Sequence, residues 1–348
     1  MRAPLNDEEL DARLALIGLV RDTAGGAPPP SKNRTVVCRQ GRRRFLVKIA
    51  DGPGNFGVLR EGSVLERVSQ LAKNNAPLHL PTVHAFNPAQ GLLSLEWIQG
   101  GETLHHFHRR TQDYAPELAA QVGEALGYLH RMSRESPSKY ASADAFRDES
   151  DLLECFLRMR PDFYARLSQV GIDFFGSVQA DGPAMQGLQM LSDTQSRDVD
   201  AALLHGDLRQ ANLLRVPKGK GATVVYLDWE LSFWGDAARD LGSLLCDYLL
   251  GWLAPEHRSE VLSRSKLTDF STDLLRGYAA SREPGFKLDS IFLHRVVRWV
   301  GAALLIAVYG ISHYEQVLDA RALGITRHAL DMLGEPGEWA NVIYKGKP

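Results

Sequence analysis

The sequence predicts an α+β protein of two lobes: a small N-terminal β-sheet lobe with one helix, then a large, mainly helical C-terminal lobe with an embedded β-hairpin. Three observations support that class. At 348 residues the chain is long enough for about two units of roughly 100–200 residues each. Strand-like patterns dominate residues 31–100, whereas helical spacing dominates from 101 onward. Two short strands then reappear inside the helical part, at 213–216 and 223–227, joined by Pro217-Lys218-Gly219-Lys220-Gly221.

Taken in order, residues 1–30 read as a helix and a linker. Leu10, Leu14, Ile17 and Val20 keep helical spacing over 7–21, and Gly25-Gly26-Ala27-Pro28-Pro29-Pro30 ends it. Residues 31–100 hold two strands, 35–38 and 44–49, around Gln40-Gly41, then a helix over 55–73. Val64, Leu65, Val68, Leu71 and Ala72 share one face of that helix. A strand over 92–98 is closed by Gly100-Gly101. In residues 101–348, Leu118, Val122, Ala125, Leu126, Leu129 and Met132 mark a long amphipathic helix, and a polar, acid-rich stretch follows at 133–154. Helices fill 152–200 and 236–330. The apolar run over 300–311 falls short of the roughly 20 residues a membrane span needs, so it is read as a buried helix and no membrane partner is expected.

Hydrophobic residues make up 44% and charged residues 24%, a globular balance. Forty Lys and Arg against 42 Asp and Glu leave a net charge of −2, which argues against a nucleic-acid partner. Cys38, Cys155 and Cys246 are far apart and form no CxxC pair, so a reducing, cytoplasmic setting is expected. The N-terminus carries acids early and has no long apolar core, so no targeting segment is expected.

The embedded hairpin is the most informative feature. If Leu213 pairs near Leu227, the turn is centred on Lys220, and antiparallel pairing sets Asn212 and Asp228 side by side at its open end. An amide oxygen and a carboxylate then converge, with Asp207 five residues upstream of Asn212. Oxygen ligands with room left for water and phosphate suit Mg²⁺. A further carboxylate nearby, Asp207, is placed to take a proton from a hydroxyl nucleophile.

These residues stand in His205-Gly206-Asp207-Leu208-Arg209-Gln210-Ala211-Asn212, then Leu227-Asp228-Trp229-Glu230, then Gly235-Asp236-Ala237-Ala238-Arg239-Asp240-Leu241. The series HGD-x4-N, hairpin, DWE, GD-x3-DL resembles the aminoglycoside phosphotransferase and choline kinase-like superfamily. The resemblance implies a bilobal protein-kinase-like fold, with residues 31–100 as nucleotide-binding lobe and hinge, and 101–348 carrying the catalytic loop and the acceptor site. It also implies ATP and Mg²⁺. Asp207 would be the catalytic base, and Asn212 and Asp228 would hold the metal. His205 would brace the loop, and Asp240 would hydrogen-bond its main chain. Asp236 is well placed to cap the helix that follows.

The same resemblance calls for a nucleotide clamp in the first lobe. Alternation along 44–49 puts Phe45, Val47 and Ile49 on one face and Leu46 and Lys48 on the other. Leu46 would cover adenine and Lys48 would bind phosphates. Of two candidate partners for Lys48, Glu61 shares the apolar helix face and Glu66 lies on the polar side, so Glu61 is chosen. By the same match, the carbonyl of Glu96 and the amide of Ile98 face the base. No glycine-rich G-x-G-x-x-G precedes Lys48. Residues 31–48 hold seven cations (Lys32, Arg34, Arg39, Arg42, Arg43, Arg44, Lys48) and no acid, read as a solvated hairpin rather than an anion-binding loop.

The expected reaction is transfer of the γ-phosphate of ATP to a hydroxyl of a small molecule. Asp144, Asp148, Glu149, Asp151 and Glu154 are read as a solvated helix start rather than a polycation receptor. The basic end, Tyr344-Lys345-Gly346-Lys347-Pro348, weakens an antibiotic-kinase reading. Two alternatives stand beside it. One is a kinase acting on Ser or Thr of a precursor peptide in lanthipeptide-type biosynthesis, with a separate lyase partner docking on residues 7–21 or the basic hairpin. The other is a non-catalytic kinase-fold scaffold, which the presence of Lys48, Asp207, Asn212 and Asp228 opposes.

Overall fold

The structure, a computed structural model, describes residues 6–22, 34–50, 56–72, 76–141, 152–197, 200–219, 221–253 and 262–346. The linker at 25–30, Lys32, Lys220, and the acids at 144–151 lie outside these residues.

Helix α1 (Asp7–Leu16) opens with a capping box: Asn6 accepts the Glu9 N–H and the Glu9 side chain accepts the Asn6 N–H. It stops five residues before the expected end at 21. Gly18 adopts φ 72°, a left-handed conformation that suits glycine, and the chain turns into strand β1 (Val20–Arg21). Strands β2 (Arg34–Gln40) and β3 (Arg43–Ile49) form a hairpin in which Gln40 faces Arg43 across a two-residue turn, with Gly41 at φ 60°. Helix α2 (Phe56–Val68), β4 (Val83–Asn87) and β5 (Leu92–Glu96) complete the lobe. The antiparallel sheet runs β1-β2-β3-β5-β4.

The expected alternation on β3 holds and decides the layers. Phe45, Val47 and Ile49 pack with Leu10 and Leu14 of α1, while Val64 and Leu65 of α2 join Leu93 and Leu95 of β5 in the other core. The N-terminal helix α1 thus lays its apolar face on the sheet, on the side opposite α2.

The large lobe begins with β6 (Glu102–Thr103), α3 (Leu104–Thr111) and the long α4 (Pro116–Arg134). Short helices α5 (Pro137–Tyr140), α6 (Leu152–Leu157) and α7 (Pro161–Tyr164) precede α8 (Gln169–Gln179) and α9 (Gly182–Ser196). Then come β7 (Ala201–Leu204), the hairpin β8 (Leu213–Lys218) and β9 (Gly221–Tyr226), and β10 (Phe233–Asp236). Five helices follow among the described residues: α10 (Ala238–Leu253), α11 (Arg264–Ser281), α12 (Ser290–Glu315), α13 (Ala320–Gly334) and α14 (Pro336–Ile343). Strand β10 pairs with β7, and β6 joins the hairpin as a third strand.

The apolar run at 300–311 is part of α12. Within α12, Ser290–His313 is long and apolar enough by length and composition to cross a membrane, and 61% of its most apolar stretch is buried in the lobe. Val296, Val297, Val300, Leu304, Leu305 and Val308 all belong to the large core. The three cysteines are buried free thiols.

Candidate active site

Two groups of side chains meet around the open end of the β8–β9 hairpin. The first centres on Lys48, which projects from β3 opposite the face that α1 covers. Its ammonium lies 2.6 Å from Glu61 Oε2 and 2.6 Å from Asp228 Oδ1. Glu61 is wholly buried on α2, whereas Glu66 is exposed, as the helix-face reading predicts. Burial pushes the Glu61 carboxyl up to about 7, with the Lys48 charge pulling it back. Asp228 keeps 30% of its side chain exposed. Burial would raise Asp228 too, but the charge and hydrogen bond of Lys48 outweigh it and hold the carboxyl below its ordinary range. Burial likewise opposes the charge on Lys48, and Glu61 and Asp228 together raise it well above its ordinary value.

The second group is the loop between β7 and β8. Asp207 and Asn212 stand five residues apart and are tied directly: Asn212 Nδ2 donates to the Asp207 carbonyl at 2.8 Å and to Asp207 Oδ2 at 3.0 Å. This fixes the amide so that Oδ1 of Asn212 is left without a protein partner among the described residues. Asn212 O accepts the Leu227 N–H at 2.8 Å, so the loop end and the residue before Asp228 are joined. The hairpin register differs by one residue from the expected one, since Leu213 pairs with Tyr226. Beyond that pair the ladder continues as the single Leu227–Asn212 bond, and Asp228 turns away at φ 64°.

A buried frame holds the loop in place. Asp240, at the first turn of α10, accepts the N–H of His205 at 2.7 Å and of Gly206 at 3.0 Å. His205 donates from Nε2 to the Leu227 carbonyl at 2.7 Å and accepts the Asp207 N–H at Nδ1 (3.3 Å), which sets its tautomer. Burial would raise the Asp240 carboxyl, but the His130 hydrogen bond and charge, with His205, hold it low. His130 Nε2 lies 3.3 Å from Asp240 and its Nδ1 meets the Tyr278 hydroxyl at 3.0 Å. Burial lowers His130 below its ordinary value, against the opposing hydrogen bond and charge of Asp240. Asp236 accepts the Ala238 N–H at 3.1 Å, as a cap should, and also the Trp299 indole N–H at 2.7 Å from α12.

Gly206 is the tightest point of this loop. Its φ is 83°, and a Cβ there would lie 2.0 Å from the Leu231 carbonyl oxygen. Gly206→Ala is therefore expected to cost on the order of 3 kcal/mol, from the left-handed backbone plus the clash. Chemical denaturation checks this, and an unchanged midpoint would contradict the packing argument.

The residues expected against the base, Leu46, Glu96 and Ile98, make no direct contact with Asp207, Asn212 or Asp228 among the described hydrogen bonds and ion pairs. Leu46 faces Leu95 across the sheet. Glu96 donates its N–H to Thr82 O (2.9 Å) and its carboxylate meets Arg43 at 3.2 Å. The Ile98 N–H has no protein acceptor among the described residues. Glu96, Trp97 and Ile98 line a cavity of about 400 Å³ with Val216, Lys218 and Val225, but neither Leu46 nor Lys48 borders it.

No group of three His, Cys, Asp or Glu is placed to hold a metal ion among the described residues. That is compatible with Mg²⁺, which takes one or two protein ligands and completes its shell with phosphate and water. The donor set here, the free Oδ1 of Asn212 and the Asp228 carboxylate, has that chemistry.

Three residues escaped sequence reasoning. Arg209 stands inside the motif, and its Nη2 lies 3.1 Å from Asp207 Oδ2. Asp247 of α10 accepts the Gln210 N–H at 2.9 Å. His130 sits among apolar neighbours of α4, where a polar residue in an apolar stripe was the available signal.

The whole architecture matches solved kinases. A choline kinase from Streptococcus pneumoniae aligns with a TM-score of 0.56 at 16% identity, over 94% of this chain and 98% of that one. A choline kinase from Cryptosporidium parvum Iowa II gives 0.59 at 14% identity, over 97% and 100%. A spectinomycin phosphotransferase solved with ADP and spectinomycin gives 0.52 at 14% identity, over 95% and 98%. At such identities the likeness is one of fold, the bilobal protein-kinase-like fold. Among curated proteins none matches the chain by sequence. The sequence profile of the phosphotransferase enzyme family, however, matches residues 27–283, and this chain belongs to that family.

Proposed function

We propose that the protein transfers the γ-phosphoryl group of ATP, with Mg²⁺, to a hydroxyl group of a small molecule. The observation that carries this reading is the convergence, at one hairpin end, of Lys48 braced by Glu61 with Asp207, Asn212 and Asp228. The family membership and the kinase fold support it, as does the ADP in the spectinomycin phosphotransferase. Residues 31–100 would carry the nucleotide, with Leu46 against adenine and the Glu96 carbonyl and Ile98 amide on its edge. Residues 101–348 would supply the catalytic loop and the acceptor site. Three buried free thiols suit a reducing cytoplasm.

Phosphoryl transfer needs positioning and charge neutralisation more than covalent help. Lys48 would bind the phosphates that stay behind, and Glu61 would fix its direction. Asn212 Oδ1 and Asp228 would hold Mg²⁺, which supplies neutralisation of the triphosphate when bound. Lys48 engages Oδ1 of Asp228, so Oδ2 would be the oxygen offered to the metal. Asp207 has Oδ2 committed to Asn212 and Arg209, and Oδ1 is left to orient the acceptor hydroxyl and take its proton.

The precursor-peptide alternative has no observation in its favour. Leu10 and Leu14 of α1 are buried against the sheet. Arg34, Arg43 and Arg44 of the hairpin engage the chain's own Asp7, Glu96 and Asp22 at 3.4, 3.2 and 2.9 Å. The test is a screen of amino alcohols, aminoglycosides, sugars and Ser/Thr peptides for stimulated ADP release and a mass gain of one phosphate. Stimulation by a small alcohol is expected. Phosphorylation confined to peptides would replace this reading with the alternative.

A further inference from the structure

We propose that the cavity between α9 and α12 binds a small organic monocarboxylate, its head on Arg298 and a short apolar body against Met190, Leu191 and Ile291. The cavity measures about 350 Å³ and is lined by those two helices and by Arg197, the residue that ends α9. That volume lies at the small end of the range for ligand sites. Leu191 is buried, while Met190 and Ile291, which also line the space, stay 43% and 75% exposed.

The charged part of the wall is three guanidiniums, Arg197, Arg295 and Arg298, and one carboxylate, Asp193. Three of these four groups are already engaged. Asp193 accepts from Gln189 Nε2 at 2.8 Å and lies 3.8 Å from Arg197 Nη2. Arg295 lies 2.7 Å from Asp200 Oδ2 and 3.1 Å from Asp236 Oδ1. Arg298 is the exception. It is half-buried and donates from Nε to the Leu333 carbonyl at 3.2 Å. Its Nη1 and Nη2 have no protein partner among the described residues, and no carboxylate there offsets its charge. Burial therefore lowers this guanidinium below its ordinary value unopposed. A cation partly withdrawn from water without a counter-charge is costly, and an anionic ligand removes that cost.

The ligand class follows from the charges. One unmatched cation calls for one negative charge. The bond to Leu333 fixes the stem and leaves two Nη groups in one plane, a fork that receives both oxygens of a carboxylate. The apolar side chains beside it let a short hydrocarbon body leave water, at about fourfold in affinity for each CH2 buried.

The cavity is separate from the candidate active site. Arg295 meets Asp200 and Asp236, and Asp236 pairs with Ala201 at the start of β7, whereas His205 follows the last residue of that strand. Four strand residues at about 3.3 Å each set those two ends roughly 13 Å apart. None of Lys48, Glu61, Asp207, Asn212 and Asp228 lines the cavity. A ligand here does not depend on phosphotransfer.

Calorimetric titration of the whole chain tests this, with sodium hexanoate as the probe and acetate and hexylammonium beside it. Hexanoate is expected to bind with a Kd on the order of 1 mM. Acetate should bind about tenfold or more weaker, and hexylammonium should not bind. Arg298→Met is expected to weaken hexanoate about 10- to 100-fold. Ile291→Glu leaves the Leu333 contact in place, sets a like charge beside the carboxylate and should weaken hexanoate about tenfold. It decides the matter alone if Arg298→Met does not fold. Wild-type protein that takes up no hexanoate overturns the proposal, as does hexylammonium bound as tightly, or an unchanged hexanoate affinity in either folded variant.

Discussion

Replacing Asp207 by Asn lowers the rate of phosphoryl transfer about 10³-fold, equivalent to roughly 4 kcal/mol of transition-state stabilisation, and leaves MgATP binding in place. An asparagine fills the same volume and can still accept from Asn212 Nδ2 and from Arg209, the two contacts that hold Oδ2 in the native site. What it cannot do is take the proton. Asp207 is 29% exposed at the side chain and is not part of the buried frame, so the substitution should not unfold the loop. Acceptor-stimulated ADP release and calorimetric nucleotide binding measure the two halves of this expectation. A variant with the wild-type turnover number would show that Asp207 is not the base.

Replacing Asp228 by Ala separates the metal from the nucleotide. The native carboxylate lies 2.6 Å from the Lys48 ammonium and would also serve Mg²⁺. Without it, the gain in ATP affinity that Mg²⁺ confers should fall by about 10- to 100-fold, the worth of a charge-assisted contact of about 1.5–3 kcal/mol. Affinity for metal-free ATP should not fall, because Lys48 then has one carboxylate fewer to leave and still has Glu61 to direct it. Titrations with and without Mg²⁺ decide the matter. An unaltered metal dependence would remove Asp228 from the metal site.

That Lys48, Glu61, Asn212 and Asp228 would lie close together was legible in the sequence. Lys48 was marked by strand alternation and by motif order, Glu61 by its helix face, and Asn212 and Asp228 by flanking one hairpin. The elements that escaped lack such periodicity. All five residues of β4 are half-buried, and its pairing with β5 is irregular between Val83 and Ala85. All four residues of β7 are buried, so nothing alternates there. Strand β1 was hidden because Val20 keeps the helical spacing of Leu10 and Leu14, and only the left-handed φ of Gly18 breaks it. Arg209 was in plain view within the motif, but its contact with Asp207 arises from an extended backbone that spacing does not reveal.

The tie between Asp240 and the N–H groups of His205 and Gly206 has a consequence for where the protein can move. Asp240 belongs to α10, whose Leu241, Leu244, Leu245 and Leu249 lie in the same core as α12. The loop is thus tied directly to a helix of the large lobe's buried core. Its geometry is present before any ligand arrives, and little ordering entropy remains to be lost there on binding. The sheet of the small lobe carries Lys48, whose contact with Asp228 ties that lobe to the hairpin end.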